Sequence, residues 1–370
     1  MDYSYNEQEQ DVADLTATII TDAAAPERLE AWQAFGEPFD RALWAKLAKA
    51  GLIGIAIPEE HGGSGAGFVE QCIVIEEAAK AAVPLFLSEA VVMAALPISR
   101  YGTDEQRQRL VAPFAAGDLL LSAAPRQASA SSPGFQARPD GDAWRVDGAM
   151  SHVPLATVAD RVLTHVTVDR GRPGLLLVDP AGQGVTLTPH TSVDRRQRWR
   201  LTLDGCQVPG ADVVIAPGGI TEEAGSWIEA AETVARCLEQ LGTVETALRM
   251  TASYVSERRQ FGRPIGTFQA VSHKVADAYI DVQAIRLTAW RAAWLLAQGT
   301  PEGDVVAIAA WWAADAPTRV LETAMQVHGG ISVDLDFPLH RYFLAARQGS
   351  LSLGGPSRAL AALGDAMAAA

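Results

Sequence analysis

A short segment in the second half of the chain combines residue types that can bind an anion and an aromatic group together. Residues 257 to 269 read ERRQFGRPIGTFQ. Arg258 and Phe261 are three residues apart, a spacing that lets two side chains share a helix face. A guanidinium and an aromatic ring together suit a dinucleotide. The alternative is a basic helix end that complements its own dipole, with Phe261 in the core.

A second segment, residues 325 to 334, reads MQVHGGISVD and carries paired glycines after a predicted helix. Gly329 and Gly330 can simply end that helix, but they also allow a ligand to approach the backbone closely. The amide of Gln326 can both donate and accept hydrogen bonds there. For His328 a structural role is expected rather than a catalytic one.

The composition excludes several function classes. The chain has 370 residues, with 44 acidic and 30 basic residues, a formal net charge of −14 and a sequence pI near 5.0. No basic stripe is available for nucleic acid or an anionic membrane surface, and the apolar runs are shorter than a membrane span. The N-terminus lacks the pattern of a secretory signal, so a cytoplasmic location is expected.

Cysteines and histidines give no local motif for a disulfide or a metal. Cys72, Cys206 and Cys237 are widely spaced and are expected to be buried as small apolar side chains. The seven histidines form no His-x-x-x-His pair, so no metal site is expected. No Gly-x-Ser-x-Gly elbow occurs, which argues against a serine hydrolase.

Periodicity divides the chain into three zones that must position these residues. The expected domains are a helical N-terminal domain at residues 1–116, a middle domain of antiparallel β-strands at 117–220, and a C-terminal four-helix bundle at 221–370. In the first domain, Asp40 is expected to cap a helix that ends at Gly51. In the third, helices are expected at 230–257, 267–299, 305–328 and 339–348. The fold class is therefore α+β.

Together, the motifs and the three zones resemble the acyl-CoA dehydrogenase superfamily. The pattern Arg-x-x-Phe-Gly-x-x-Ile-x-x-Phe-Gln, followed by Gln-x-x-Gly-Gly, is specific to that family and lies in the expected order. The resemblance implies that these residues reach across a subunit interface to the FAD of a neighbouring subunit. It assigns Arg258 to the pyrophosphate and Phe261 to packing on the cofactor. The residues implied to line the adenosine-diphosphate end are Gln269, Gln326, Gly329 and Gly330.

The segment that carries the catalytic base in many members of this family departs from the pattern. The family reaction needs a carboxylate to remove the proton beside a thioester, often the glutamate of a Glu-Gly-Thr motif. Here residues 352 to 357 read SLGGPS, so Leu353 stands in the place of the glutamate. Gly355 lacks the hydroxyl of the threonine. No catalytic residue is therefore expected at the usual position.

Two segments of the middle domain also depart from the family pattern. The usual Thr-Glu-Pro and Gly-Ser signature is replaced by LSAAPRQASASS at 121–132, and the Trp-Ile-Thr/Ser strand by MSHVPL at 150–155. The sequence therefore predicts that this chain lacks a flavin-ring pocket of its own. It keeps the elements that, by the resemblance, serve the FAD of a neighbouring subunit.

This asymmetry is similar to that of the non-catalytic β subunit of actinobacterial α2β2 acyl-CoA dehydrogenases for steroid (cholesterol) side chains. The similarity includes FDRALW at 39–44, HRYFLAAR at 340–347 and LGGP at 353–356. It implies FAD shared with a catalytic α-type partner that supplies the base. It also implies a steroid acyl-CoA substrate and an electron-transfer flavoprotein as acceptor.

Two alternatives stay open at this point. Some family members place their glutamate on the first long helix of the bundle, and Glu232 lies 29 residues before Phe261, close to that position. The first alternative is therefore a homo-oligomeric enzyme that uses Glu232 as its base. Against it, Glu229, Glu232 and Glu239 have the spacing of a solvated acidic helix face. The other alternative is a flavin-free scaffold homologue.

Overall fold

The computed structural model describes residues 4–21, 39–83, 85–126, 134–168, 171–300 and 302–369. The chain folds into two compact units. The bundle unit comprises Met1–Ala24, Cys72–Val83 and Thr233–Ala370. The sheet unit comprises Ala25–Gln71 and Pro84–Glu232. The domain boundaries at residues 116 and 220 stay a prediction.

Helices dominate both ends of the chain and strands its middle. Among the described residues, the α-helices of more than three residues are α1 (Glu7–Thr21), α2 (Arg41–Lys49), α3 (Phe68–Lys80), α4 (Leu96–Tyr101), α5 (Ala112–Ala116), α6 (Glu222–Glu257), α7 (Gln269–Ala297), α8 (Gly303–His328), α9 (Leu339–Ser352) and α10 (Pro356–Ala369). The strands are β1 (Leu121–Ala123), β2 (Phe135–Asp140), β3 (Ala143–Val153), β4 (Arg161–Val168), β5 (Arg172–Val178), β6 (Val185–Thr191), β7 (Gln197–Pro209), β8 (Val213–Ile215), β9 (Arg259–Gln260) and β10 (Arg263–Pro264).

The predicted ends of α2 are confirmed. The backbone N–H of Leu43 donates to Asp40 Oδ1 at 2.9 Å, so Asp40 is the N-cap. Gly51 follows the helix with φ +76°, a left-handed conformation that glycine adopts without strain. Residues 88–101 form a less regular helical segment, in which the π-helix Ser88–Ala95 leads into α4.

The large sheet has the order β6-β7-β3-β2-β4-β5-β8, with β1 beside β4. Most pairings are antiparallel as predicted, but β4 runs parallel to both β1 and β2, so the sheet is mixed. The parallel pairs arise because β3 is the antiparallel return of β2, after which the chain crosses over to place β4 on the other side of β2. Apolar side chains such as Phe135, Val146 and Leu201 fill one core.

The bundle unit confirms the predicted C-terminal helical bundle. Helix α8 packs against α7, α9 and α10, and its buried positions are largely alanine and valine, which permit close approach. The buried side chain of Gln240 in α6 forms hydrogen bonds to α8 and α9. Its Nε2 donates to the carbonyl oxygens of Ala313 in α8 and Ala346 in α9, each at 3.0 Å. The mixed helical and sheet content confirms the α+β fold class.

A buried carboxylate fixes α7 against α3. Trp290 Nε1 donates to Glu76 Oε2 at 2.8 Å, and Arg286 Nη1 lies 3.2 Å from Oε1 of the same carboxylate. Burial raises the pKa of Glu76, and the charges of Arg286 and Lys80 oppose that shift. The start of α7, which carries Gln269, therefore belongs to a helix held by buried ion pairs.

The three cysteines are free, and they are buried as predicted. Within the described ranges, no helix is both long and apolar enough to cross a membrane.

Candidate cofactor-binding face

A tight hairpin follows α6 and carries the arginine and the aromatic ring. Strands β9 and β10 pair antiparallel, and Phe261 and Gly262 form the turn with φ of +50° and +79°. Positive φ at both central residues is typical of a type I′ hairpin turn. The N–H of Ile265 donates to the carbonyl of Arg258 at 2.8 Å and closes the stem. The predicted shared helix face is therefore wrong, because α6 ends at Glu257, so that Arg258 lies at the base of the hairpin and Phe261 lies in its turn.

The Phe261 ring points into solvent and is 93% exposed in this chain. The alternative that placed Phe261 in the core is thus excluded for the chain alone. A non-glycine residue with positive φ costs on the order of 1–3 kcal/mol, and such strain clusters at functional sites. The ring makes an edge contact with Phe268, with centroids 6.1 Å apart, and the Arg263 guanidinium lies 4.1 Å from the Phe268 centroid. An ordered hairpin thus presents the exposed ring.

A lysine that the sequence analysis did not assign contacts one of the predicted residues. Lys274 Nζ in the second turn of α7 donates to Gln326 Oε1 near the end of α8 at 2.8 Å. The Lys274 ammonium is hydrogen-bonded to the side-chain oxygen of Gln326. The Nε2 of Gln326 is therefore the amide atom that can donate a hydrogen bond to a ligand. The rarity of lysine could have drawn attention to Lys274 in the sequence. The chain has only four lysines, Lys46, Lys49, Lys80 and Lys274.

The end of α8 is held by a buried histidine. His328 Nδ1 lies 2.8 Å from the Ala324 carbonyl oxygen, and its ring stacks on Tyr254 with centroids 4.3 Å apart. Tyr254 also donates its hydroxyl to the His328 carbonyl at 3.4 Å. Burial lowers the pKa of His328, so the ring is neutral near pH 7. These contacts give His328 a structural role, and they hold the end of α6 beside the end of α8.

Gly329 and Gly330 leave a bare stretch of backbone directly after this anchor. Both are exposed, and a Cβ built on either would meet no atom within 4 Å. Gly329 has φ +66° and ψ −140°, which favours glycine. A ligand can therefore reach the main chain here without displacing any side chain.

The predicted residues meet at one end of the bundle unit, where α6 and α8 end and α7 begins. We call this surface the bundle face. Its members are exposed, and they are Arg258, Phe261, Gln269, Lys274, Gln326, Gly329 and Gly330. Two cationic side chains, an oriented amide, an exposed ring and bare backbone fit the pyrophosphate and adenosine parts of a dinucleotide. A ligand held by so open a face needs a second surface to cover it.

The segment that follows α9, which we call the Leu353 loop (residues 352–357), has different chemistry. Leu353 is half-buried and no carboxylate lies within the loop. Gly354 and Gly355 have φ of +83° and +80°, and the Gly355 N–H donates to the Ser350 carbonyl at 2.9 Å. A threonine at position 355 would be strained in this backbone. The loop offers neither a base nor a place for the hydroxyl of the family motif.

Glu232, the alternative base, lies on α6 and is half-buried. Its neighbour on the predicted acidic stripe, Glu229, is exposed and forms an ion pair with Arg126, with Oε2 and Nη1 2.8 Å apart. Glu239 is half-buried as well. The three carboxylates therefore differ in exposure and do not form one uniformly solvated face.

The segment at 150–155 contains a bulge with two strained residues. His152 and Leu155 have φ of +65° and +55°, and the register with β7 shifts between Met150 and Val153. Buried Ser122 donates to the Pro154 carbonyl at 2.6 Å and fixes the segment from the side of β1. Of the predicted signature at 121–132, residues 127–132 lie outside the described residues.

Comparison with known proteins agrees with this architecture. Residues 6–118 match the family model for the acyl-CoA dehydrogenase N-terminal domain, and residues 230–362 match the model for the C-terminal domain. The acyl-CoA dehydrogenase FadE27 of Mycobacterium tuberculosis is 37% identical over 100% of this chain and 99% of its own length.

Two solved structures have the same fold over nearly the whole chain. The ChsE4-ChsE5 complex from Mycobacterium tuberculosis contains a chain that superposes with a TM-score of 0.93 at 36% identity, covering 100% of this chain and 99% of that chain. A single-residue variant of the Tcur3481-Tcur3483 steroid acyl-CoA dehydrogenase has a chain with a TM-score of 0.90 at 38% identity, covering 98% of each. With its fold and both family models matched, this chain belongs to the acyl-CoA dehydrogenase family.

Proposed function

We propose that this chain is the β-type subunit of a heterotetrameric, FAD-dependent acyl-CoA dehydrogenase. In this α2β2 complex its bundle face completes the FAD site of a catalytic α-type partner. The observation that carries the proposal is the contrast within the bundle unit. The bundle face offers exposed donors for a dinucleotide, whereas the Leu353 loop has no group that can accept a proton.

The residues of the bundle face have distinct roles in this proposal. Arg258 pairs with the pyrophosphate, because a guanidinium forms strong, charge-assisted hydrogen bonds to phosphate. Phe261 packs on the cofactor from the hairpin tip. Gln269, Gln326, Gly329 and Gly330 line the adenosine-diphosphate end. Lys274 fixes the amide of Gln326 and adds a positive charge beside the phosphates.

The chemistry of the reaction is divided between the two kinds of subunit. The bound FAD would supply the acceptor for the hydride that leaves the β-carbon of the acyl-CoA thioester. The partner supplies the carboxylate that removes the α-proton, since an aliphatic side chain such as Leu353 cannot do so. The product carries an α,β double bond, and an electron-transfer flavoprotein accepts the electrons.

The substrate class and the heteromeric state are inferred from the solved relatives. One relative is described as a steroid acyl-CoA dehydrogenase and another as a complex of two named proteins. Their chains cover almost all of this chain, which supports transfer of both features. We therefore propose a steroid side-chain acyl-CoA thioester as the substrate.

The test is to substitute Arg258 in the complex isolated with a candidate α subunit. Arg258→Gln should lower the FAD content and weaken rebinding of FAD by roughly 10- to 150-fold, because a hydrogen bond to a charged group contributes about 1.5–3 kcal/mol. Arg138→Gln is the matched control, since Arg138 is an exposed arginine of β2 in the sheet unit. Unchanged FAD affinity in the Arg258 variant would contradict the proposed role of the bundle face.

A further inference from the structure

Two histidines of the sheet unit, which the proposed flavin site does not use, meet on the sheet. His152 belongs to β3 and His190 to β6, and β7 lies between these strands. Their Nε2 atoms are 3.1 Å apart, and the ring centroids are 4.3 Å apart with planes at 78°. The two side chains therefore reach over β7 and form a hydrogen bond, in which one Nε2–H donates to the other Nε2. A metal ion bound by both nitrogens would replace that proton.

The backbone at His152 is distorted in a way that aims its ring at His190. The residue lies in the bulge between Met150 and Val153 and has φ +65°. A bulge bends a strand and redirects a side chain, often beside a functional site. A left-handed histidine costs on the order of 1–3 kcal/mol and persists only where its surroundings determine it.

The separation of the two Nε2 atoms matches that of neighbouring ligands on one metal ion. With metal–nitrogen bonds of about 2.0–2.1 Å, two ligands at 90° are about 2.9 Å apart and two at the tetrahedral angle about 3.4 Å apart. The observed 3.1 Å lies between these limits. We infer that His152 and His190 form a two-histidine site for a first-row divalent cation such as Zn²⁺, Ni²⁺ or Cu²⁺, with water in the remaining positions.

Charged side chains also lie near the pair. Burial, the neighbouring His190 and the charge of Arg198 lower the pKa of His152. Arg198 is itself bound by Asp194, with Nη1–Oδ1 at 2.7 Å and Nη2–Oδ2 at 3.1 Å, so its charge is compensated. Arg200 donates Nη1 to Ser151 Oγ at 3.4 Å.

The same donor set predicts selectivity among metals. Imidazole suits zinc, nickel and copper, whereas Mg²⁺ and Ca²⁺ require oxygen ligands. Among the residues that the structure describes, no group of three or more His, Cys, Asp or Glu side chains is placed to hold a metal. The site therefore has two protein donors and open positions, and affinity should follow the order Cu²⁺ above Zn²⁺, with no Mg²⁺ binding.

The test is a metal titration of the full chain in the assembly in which it is isolated, after treatment with a chelator. Calorimetry with ZnCl₂, CuCl₂ and MgCl₂ should show one equivalent of Zn²⁺ or Cu²⁺ and no Mg²⁺. His152→Gln and His190→Gln should each weaken Zn²⁺ binding at least about tenfold. His273→Gln, which removes an exposed histidine of α7 in the bundle unit, is the matched control.

A second readout separates loss of a ligand from loss of the fold. Circular dichroism should show the native spectrum for all three variants, and the electron paramagnetic resonance spectrum of bound Cu²⁺ should show coupling to two nitrogens. The inference is overturned if Zn²⁺ does not bind, or if it binds the folded His152 and His190 variants as tightly as the unsubstituted chain.

Discussion

The bundle face and the Leu353 loop lie in the same unit but present opposite chemistry. The bundle face exposes an arginine, a lysine, an oriented amide and a phenylalanine at a strained turn. The Leu353 loop presents an aliphatic side chain and two left-handed glycines. The first surface has groups that can bind the phosphates and the aromatic parts of a dinucleotide. The second has nothing that moves a proton.

This difference teaches that membership of an enzyme family and possession of its catalytic residues are separate properties. The fold is a scaffold, and function depends on the side chains at a particular site. A subunit that keeps one side of an interfacial cofactor site can still be required for turnover. The following substitutions test whether the two regions differ as proposed.

After Arg258→Gln, the largest effect on the bundle face is expected from Gly330→Val in the proposed α2β2 complex. A side chain there would enter the space proposed for the cofactor, and overpacking of about 1–3 kcal/mol corresponds to a roughly 5- to 150-fold loss of FAD affinity. The stability of the chain should not change, because a Cβ at Gly330 meets no atom within 4 Å. Gly364→Val is the matched control, since its Cβ also meets no neighbour. Equal FAD affinity in the Gly330 and Gly364 variants would contradict the proposed position of the cofactor beside Gly330.

Gly355→Thr tests whether a change in the Leu353 loop lowers the stability of the chain without changing FAD binding. The substitution puts a β-branched residue at φ +80°, so the free energy of unfolding should fall by about 1–3 kcal/mol. FAD affinity in the complex should stay within about twofold of the unsubstituted value. Thermal unfolding and flavin fluorescence measure the two quantities. A gain of FAD per complex would show that this loop can serve a flavin of its own.

Phe261→Ala should weaken FAD binding by roughly tenfold, since stacking of an aromatic side chain on a base contributes about 1–3 kcal/mol. The stability of the lone chain should be unchanged because the ring is 93% exposed there. Flavin titration of the apo complex, with thermal unfolding of the lone chain, separates the two effects. A destabilised lone chain with normal FAD affinity would make Phe261 a structural residue.

Lys274→Gln is expected to have a smaller effect. It removes the positive charge and the ammonium donor to Gln326, so FAD affinity should fall by a few fold, as expected for exposed ion pairs of about 0.2–1 kcal/mol. The loss should shrink as ionic strength rises, because salt screens exposed charges. FAD titrations at low and high salt measure this. An effect that does not depend on salt would argue against a charge interaction.

The smallest effect is expected from Glu232→Gln, for which turnover by the α2β2 complex should stay within about twofold. The partner supplies the base in the proposed mechanism, so a half-buried glutamate of this chain is not needed. Glu239→Gln is the matched control on the same helix. Loss of turnover in the Glu232 variant alone would indicate that Glu232 is the base and would contradict the proposed role of the partner.

The sequence predicts the parts of the fold that depend on local patterns. The long helices have apolar positions at helical spacing, and Asp40 and Gly51 mark the ends of α2 by their own chemistry. The strand β6 is not predicted, because most of its side chains are exposed and polar. The parallel pairing of β4 also escapes prediction, since it depends on how distant strands cross and not on local periodicity.

The candidate site is predictable in its residue types but not in its geometry. The spacing of Phe261 suggests a helical position, although the Phe-Gly pair followed by Pro264 is compatible with a turn. Lys274 and Gln326 are 52 residues apart, and His152 and His190 are 38 apart, so only the tertiary structure brings each pair together. Short motifs therefore identify the chemistry, while contacts between distant residues determine its arrangement.

The central claim is tested most directly by the number of FAD molecules in the native complex. The complex of this chain with its proposed α-type partner should be purified without added flavin, and its native mass and flavin absorbance should be recorded together. The account predicts an α2β2 assembly with two FAD molecules for four chains and a lone chain without flavin absorbance. A yellow, active homo-oligomer of this chain alone, or four FAD molecules in the complex, would contradict it.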